Sequence, residues 1–82
     1  MIHIKYFAKY RESLGLAAET MTVAPVSLQD LMIMIREKNP KALIIMEDPR
    51  CIIAVNQSVE RNRERMLQAG DEVAFYPPVT GG

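Results

Sequence analysis

Ile2, Ile4 and Tyr6 alternate with His3, Lys5 and Phe7, and this period of two predicts a half-buried strand over residues 2–7. Residues 8–14 follow as a short helical segment stopped by Gly15. From Glu19 to Val23 the alternation returns, Met21 and Val23 against Thr20 and Thr22, close enough to the first strand to pair with it as a wide hairpin. Pro25 ends that strand. Ser27, with Asp30 three positions on, reads as a helix N-cap with an acid in the first turn. Leu28, Leu31, Met32 and Ile35 then recur at helical spacing and leave Gln29, Arg36 and Glu37 on the other side. Asn39-Pro40 closes this main helix. Residues 41–47 are too short and too uniformly apolar to show a period, and a helical turn is the expectation there. Asp48-Pro49 marks a turn, residues 51–57 read as a third strand, a short strand is expected around Val59, and the turn Gly70-Asp71 leads into a last strand, Glu72–Tyr76.

The resulting order predicts an α+β fold, with one main helix packed across a mixed sheet of four to five strands. It is the β-grasp pattern, whose first and last strands are central and parallel, a pairing that needs a long connection. Residues 1–76 are expected to form the domain and residues 77–82 an extended tail.

Eighty-two residues allow one domain with one small core. The single cysteine, Cys51, lies in the apolar run 51–55 and has no partner within the chain, which suits a reducing cytoplasm and a buried structural role. The start of the chain lacks the pattern of a secretory leader, and no apolar run reaches membrane-spanning length. Ten basic residues balance ten acidic ones, which argues against nucleic acid or a membrane as partner. The one charge run, Glu60-Arg61-Asn62-Arg63-Glu64-Arg65, reads as a solvated loop. His3 stands alone on an outward strand face, without the neighbours that a metal site or a general base requires. The methionines are expected to fill an irregular core, with Met34 the one most exposed.

The candidate chemistry lies at the end of the sequence, in Pro77-Pro78-Val79-Thr80-Gly81-Gly82. Glycine has no Cβ, so a diglycine end can thread a passage too narrow for side chains and present its carboxylate to a donor inside a partner. The two prolines favour an extended path that holds the tail away from the body. Fully extended, six residues reach roughly 20 Å.

The run Gly70-Asp71-Glu72-Val73-Ala74-Phe75-Tyr76 leading into Pro-Pro-Val-Thr-Gly-Gly resembles the C-terminal signature of the sulfur-carrying small subunit of molybdopterin synthase, a ubiquitin-like family. Tyr6-Phe7-Ala8 followed by Arg11-Glu12, and Ala54-Val55-Asn56-Gln57, resemble it too. Residues 27–50 carry little of this signal, and Arg61, Arg63 and Arg65 match no part of it. The resemblance implies that a ubiquitin-activating-like adenylyltransferase joins the Gly82 carboxylate to AMP from ATP. A sulfur donor protein then displaces AMP, and the resulting thiocarboxylate delivers sulfur to cyclic pyranopterin monophosphate in the large subunit, making molybdopterin. Gly82 would carry the sulfur, with Gly81, Thr80, Val79, Pro78 and Pro77 lying in the partner's active site. The chain itself would bind no cofactor and would assemble with the large subunit as a two-plus-two heterotetramer. Sulfur carriage for thiamin or tRNA thiolation, and protein modification without a sulfur step, use the same kind of tail and stay open at this point.

Strand parity supplies the docking residues. If Ile2, Ile4, Tyr6, Val73 and Phe75 face the core, Phe7 and Tyr76 lie together on the opposite face beside the tail. Adjacent exposed aromatics of this kind suit a binding patch. The family resemblance adds Val59 to the same apolar surface.

Overall fold

The computed structural model describes residues 1–78. Strand β1 (Ile2–Tyr6) pairs antiparallel with β2 (Ala18–Met21), Ile4 opposite Glu19. This is the wide hairpin that the alternation predicts, with its second strand starting one residue earlier than expected and stopping at Met21. Thr22 and Val23 leave the ladder, although Val23 still packs against the core. At the end of β1, Phe7 keeps an extended backbone and its N–H donates to the Phe75 carbonyl at 3.2 Å. Ala8 then takes a left-handed φ of 52°, which turns the chain into α1 (Ala8–Leu14). Gly15 closes α1 at φ 74°, a conformation that costs a residue with a Cβ roughly 1–2 kcal/mol.

A two-residue strand, β3 (Val26–Ser27), precedes the main helix α2 (Leu28–Lys38). The N-cap is the one that the sequence predicts: the Asp30 N–H donates to Ser27 Oγ at 3.0 Å. The backbone N–H groups of Leu28 and Gln29 donate to the carbonyls of Arg65 and Arg63, at 2.9 and 2.8 Å. The charged run at 60–65 is thus more than a solvated loop, because its backbone satisfies donors that a helix start leaves unpaired. Leu28, Leu31, Met32 and Ile35 are the buried face of α2. After Asn39 the chain makes a 3-10 turn (Pro40–Ala42) and one helical turn, α3 (Leu43–Met46), as expected for this segment.

Strands β4 (Ile52–Val55) and β5 (Ser58–Val59) form a tight hairpin, β6 (Met66–Leu67) pairs back onto β3, and β7 (Glu72–Tyr76) closes the fold. The main sheet runs β2-β1-β7-β4-β5, with β7 parallel to β1 and antiparallel to β4. The first and last strands are therefore central and parallel, as the β-grasp order requires. Ile2, Ile4 and Tyr6 of β1, Ile53 and Val55 of β4, and Val73 and Phe75 of β7 meet the buried face of α2 in one core. Each such side chain contributes roughly 1.5–3 kcal/mol relative to exposure.

Two side-chain expectations are corrected. Met34 is half-buried, whereas Met1 and Met66 are the exposed methionines; Met66 sits on a two-residue strand with only one buried face. Cys51 is half-buried at the core edge, since β4 begins one residue after it. No helix among the described residues is long and apolar enough to cross a membrane.

Candidate functional site

The sheet face turned away from α2 carries the site. Register places Ile52 opposite Tyr76, Ala54 opposite Ala74, Lys5 opposite Ala74, and Val59 opposite Ala54. Directly opposed residues share a face, so Ile52, Ala54, Val59, Ala74 and Tyr76 form one surface. Ala54 and Ala74 are its small, shielded centre, and Ile52, Val59 and Tyr76 are exposed large side chains around them.

Phe7 and Tyr76 meet as the parity argument predicts. Their rings stack with centroids 4.5 Å apart and planes 6° from parallel, a contact worth about 0.5–1.5 kcal/mol beyond its burial. On the opposite side of the same strands Tyr6 and Phe75 also stack, at 5.8 Å. The pair on the outer face forms one wall of an apolar groove of about 530 Å³, completed by Ala8, Lys9, Ile52, Pro77 and Pro78. Pro77 and Pro78 are half-buried and line this groove. Val79, Thr80, Gly81 and Gly82 lie outside the described residues.

Val59 is 62% exposed and reaches the aromatic pair through Ala54 and Ile52. Ile52 is one of the groove residues, with Ala8 and Lys9, that the sequence reading missed. Extending the parity argument from β7 to β4 would have found it, because a strand with Ile53 and Val55 inward has Ile52 outward.

Hydrogen bonds fix the strands that carry these side chains. The Tyr6 hydroxyl donates to Glu19 Oε2 at 2.6 Å, and Lys38 Nζ bonds the other Glu19 oxygen at 3.0 Å, tying β1, β2 and α2 together. Burial first, then the hydrogen bond to Glu19 and its negative charge, push the Tyr6 phenol well above its ordinary range. Asn56 ties the β4–β5 turn to the start of β7: its Nδ2 donates to Asp71 Oδ1 at 3.0 Å, and its Oδ1 accepts the Glu72 N–H at 2.9 Å. The Gln68 N–H donates to the other Asp71 oxygen. That bond first, then the one from Asn56, holds the Asp71 carboxyl below the usual range. Burial pushes the Cys51 thiol up, the direction opposite to that of a reactive thiolate. Among the described residues, no three His, Cys, Asp or Glu side chains gather as a metal site.

A mixed five-stranded sheet with its first and last strands central and parallel and one main helix across it defines a ubiquitin-like β-grasp protein, here with an apolar groove bordered by an aromatic pair and two prolines beside its C-terminal segment. Residues 4–82 match the model of the ThiS family, and the chain belongs to that family. It is 34% identical over 82 residues, the whole of both chains, to the molybdopterin synthase sulfur carrier subunit of Escherichia coli (strain K12). The fold is similar to that of SAMP1 from Haloferax volcanii, at TM-score 0.82 and 24% identity, covering 99% of this chain and 98% of that one. It is also similar to a chain in the complex of subunits 1 and 2 of the molybdopterin-converting factor from Helicobacter pylori 26695, at TM-score 0.69 and 21% identity, covering 99% and 97%.

Proposed function

We infer that this chain is the sulfur carrier subunit of a molybdopterin synthase. The observation that carries the reading is the similarity to named carriers over every residue of both chains, which takes in Gly81-Gly82 as well as the β-grasp body. The apolar groove beside Pro77-Pro78 supports the reading as a candidate docking face.

The chemistry starts from a terminal carboxylate with a pKa near 3.5, ionised in the cell and a poor electrophile. An adenylyltransferase converts it with ATP into an acyl adenylate, releasing pyrophosphate, and AMP is then a good leaving group. A sulfur donor displaces AMP and leaves the Gly82 thiocarboxylate, a sulfur nucleophile that needs no side chain of this protein to activate it. Gly81 and Gly82 admit the end of the chain to the active site of the large subunit, where both dithiolene sulfurs of molybdopterin are delivered in successive donations. Phe7, Tyr76, Ile52 and Val59 anchor the body while Pro77 and Pro78 direct the tail. A two-plus-two heterotetramer in the cytoplasm is the assembly this implies.

The test is to delete Gly82 or add one residue after it. The described core is built from residues between Ile2 and Phe75, so thermal stability and binding to the large subunit should persist while molybdopterin formation falls to background. An extended variant that supports full synthesis without being trimmed contradicts the reading.

A further inference from the structure

Beside the apolar groove is a second recess of different character. It is a cleft of about 300 Å³ between the β4–β5 hairpin and residues 60–63, with Ile52, Ile53 and Val59 among its apolar lining and Arg61 and Arg63 at its charged side. Ile52 lines both recesses, so a partner seated on the aromatic groove continues directly into the cleft.

Neither Arg61 nor Arg63 makes an ion pair among the described residues, and the same holds for Lys9, Arg11, Arg36 and Lys41, but only these two line the cleft. Glu60 also lines the cleft, but its carboxylate is committed: one oxygen accepts from Arg65 Nη1 at 2.9 Å and the other from the Asn62 N–H at 3.1 Å. Those two bonds, the Arg65 one first, hold its carboxyl below the usual range. The chain as a whole is balanced in charge, so the positive cleft is a local feature. It is also built in advance, because the Arg63 carbonyl accepts from the Gln29 N–H and the Arg65 N–H donates to the Asn62 carbonyl. The backbone of the loop is therefore in place before a partner arrives, and only the arginine side chains remain to be ordered.

Building on the carrier reading above, we propose that this cleft receives an acidic segment of the synthase large subunit, with an apolar side chain against Ile52 and Val59 and a carboxylate bound by Arg61 and Arg63. The planar guanidinium pairs with carboxylates through two parallel hydrogen bonds and is enriched among interface residues of high energetic weight. The cleft thereby adds register and charge selection to an apolar groove that alone would accept many partners.

The experiment measures binding of the purified large subunit from the same genome to the full chain. It compares wild type, Arg61→Gln/Arg63→Gln and Arg61→Glu/Arg63→Glu at low and high salt, on the order of 50 and 500 mM. The arginine contributions to the helix start come from backbone carbonyls, so the melting temperature should be unchanged in both variants. At low salt the glutamine pair should bind about tenfold more weakly and the glutamate pair more weakly still, with both differences shrinking at high salt. Wild-type binding with both variants within twofold of it at either salt overturns this inference and leaves the carrier reading intact. Absence of wild-type binding overturns the carrier reading itself. Variants that lose affinity only for the activating enzyme, or that only alter self-association of the free chain, assign the cleft to another occupant and also overturn it.

Discussion

Phe7 and Tyr76 stack on the face of the sheet that the core does not use, so truncating either removes little from the fold and, on the carrier reading, much from the proposed docking surface. Phe7→Ala and Tyr76→Ala should each cost about 1 kcal/mol of stability, the scale of the lost stack. Affinity for the large subunit should fall by the equivalent of 2 kcal/mol or more, as expected of a central aromatic anchor. Thermal melts and titration calorimetry on the same variants decide the matter, and a large stability loss with unchanged affinity would reverse the assignment. Other residues within the runs that carry the family resemblance have a structural role. Asn56 and Asp71 join the β4–β5 turn to β7 through side-chain hydrogen bonds. Asp71 has a depressed pKa in the fold, so its stabilising contribution is complete above the unfolded value, about 3.9, and is lost as pH falls through the lower folded value. Asp71→Asn should therefore lower the melting temperature at neutral pH, with the gap to wild type closing in acid. Parallel melting curves across that range would contradict this.

Elements long enough to show a period were legible in the chain. The α2 stripe and the alternation in β1 follow from residue spacing, because each buries a regular face against the same core, and the central parallel pair follows from the β-grasp order of the elements. Strands β3 and β6 were not legible: two residues carry no period, and their pairing joins residue 26 to residue 67 across most of the chain. The end of β4 was blurred for a different reason. Asn56 and Gln57 both have positive φ, 50° and 70°, the geometry of a type I′ hairpin turn, but Asn-Gln lacks the glycine that usually announces one. Gln57→Gly should relieve the left-handed strain and raise stability by about 0.5 kcal/mol; a lower melting temperature would show that the Gln57 side chain supports the turn. At the site, parity alone reached Phe7 and Tyr76. The cleft at Arg61 and Arg63 escaped it because the loop that builds the cleft is held by backbone bonds to α2, and these leave no trace in residue type.

At the scale of the whole molecule, the body presents a surface and the end of the chain supplies the reagent. Four of the exposed or half-buried groove residues, Phe7, Ile52, Pro77 and Pro78, come from both ends of the chain and from the strand between them, so a folded domain is required to bring them together. On the carrier reading proposed above, a partner that grips this groove holds the tail at a fixed distance from its own active site, and this makes the group transfer specific. The most direct measurement is the intact mass of the thiocarboxylated chain before and after incubation with the large subunit and cyclic pyranopterin monophosphate. The mass should return to that of the carboxylate in step with the appearance of molybdopterin, as oxygen replaces the sulfur given away at Gly82. Molybdopterin formed while the thiocarboxylate mass stays unchanged would contradict the claim that this chain carries the sulfur.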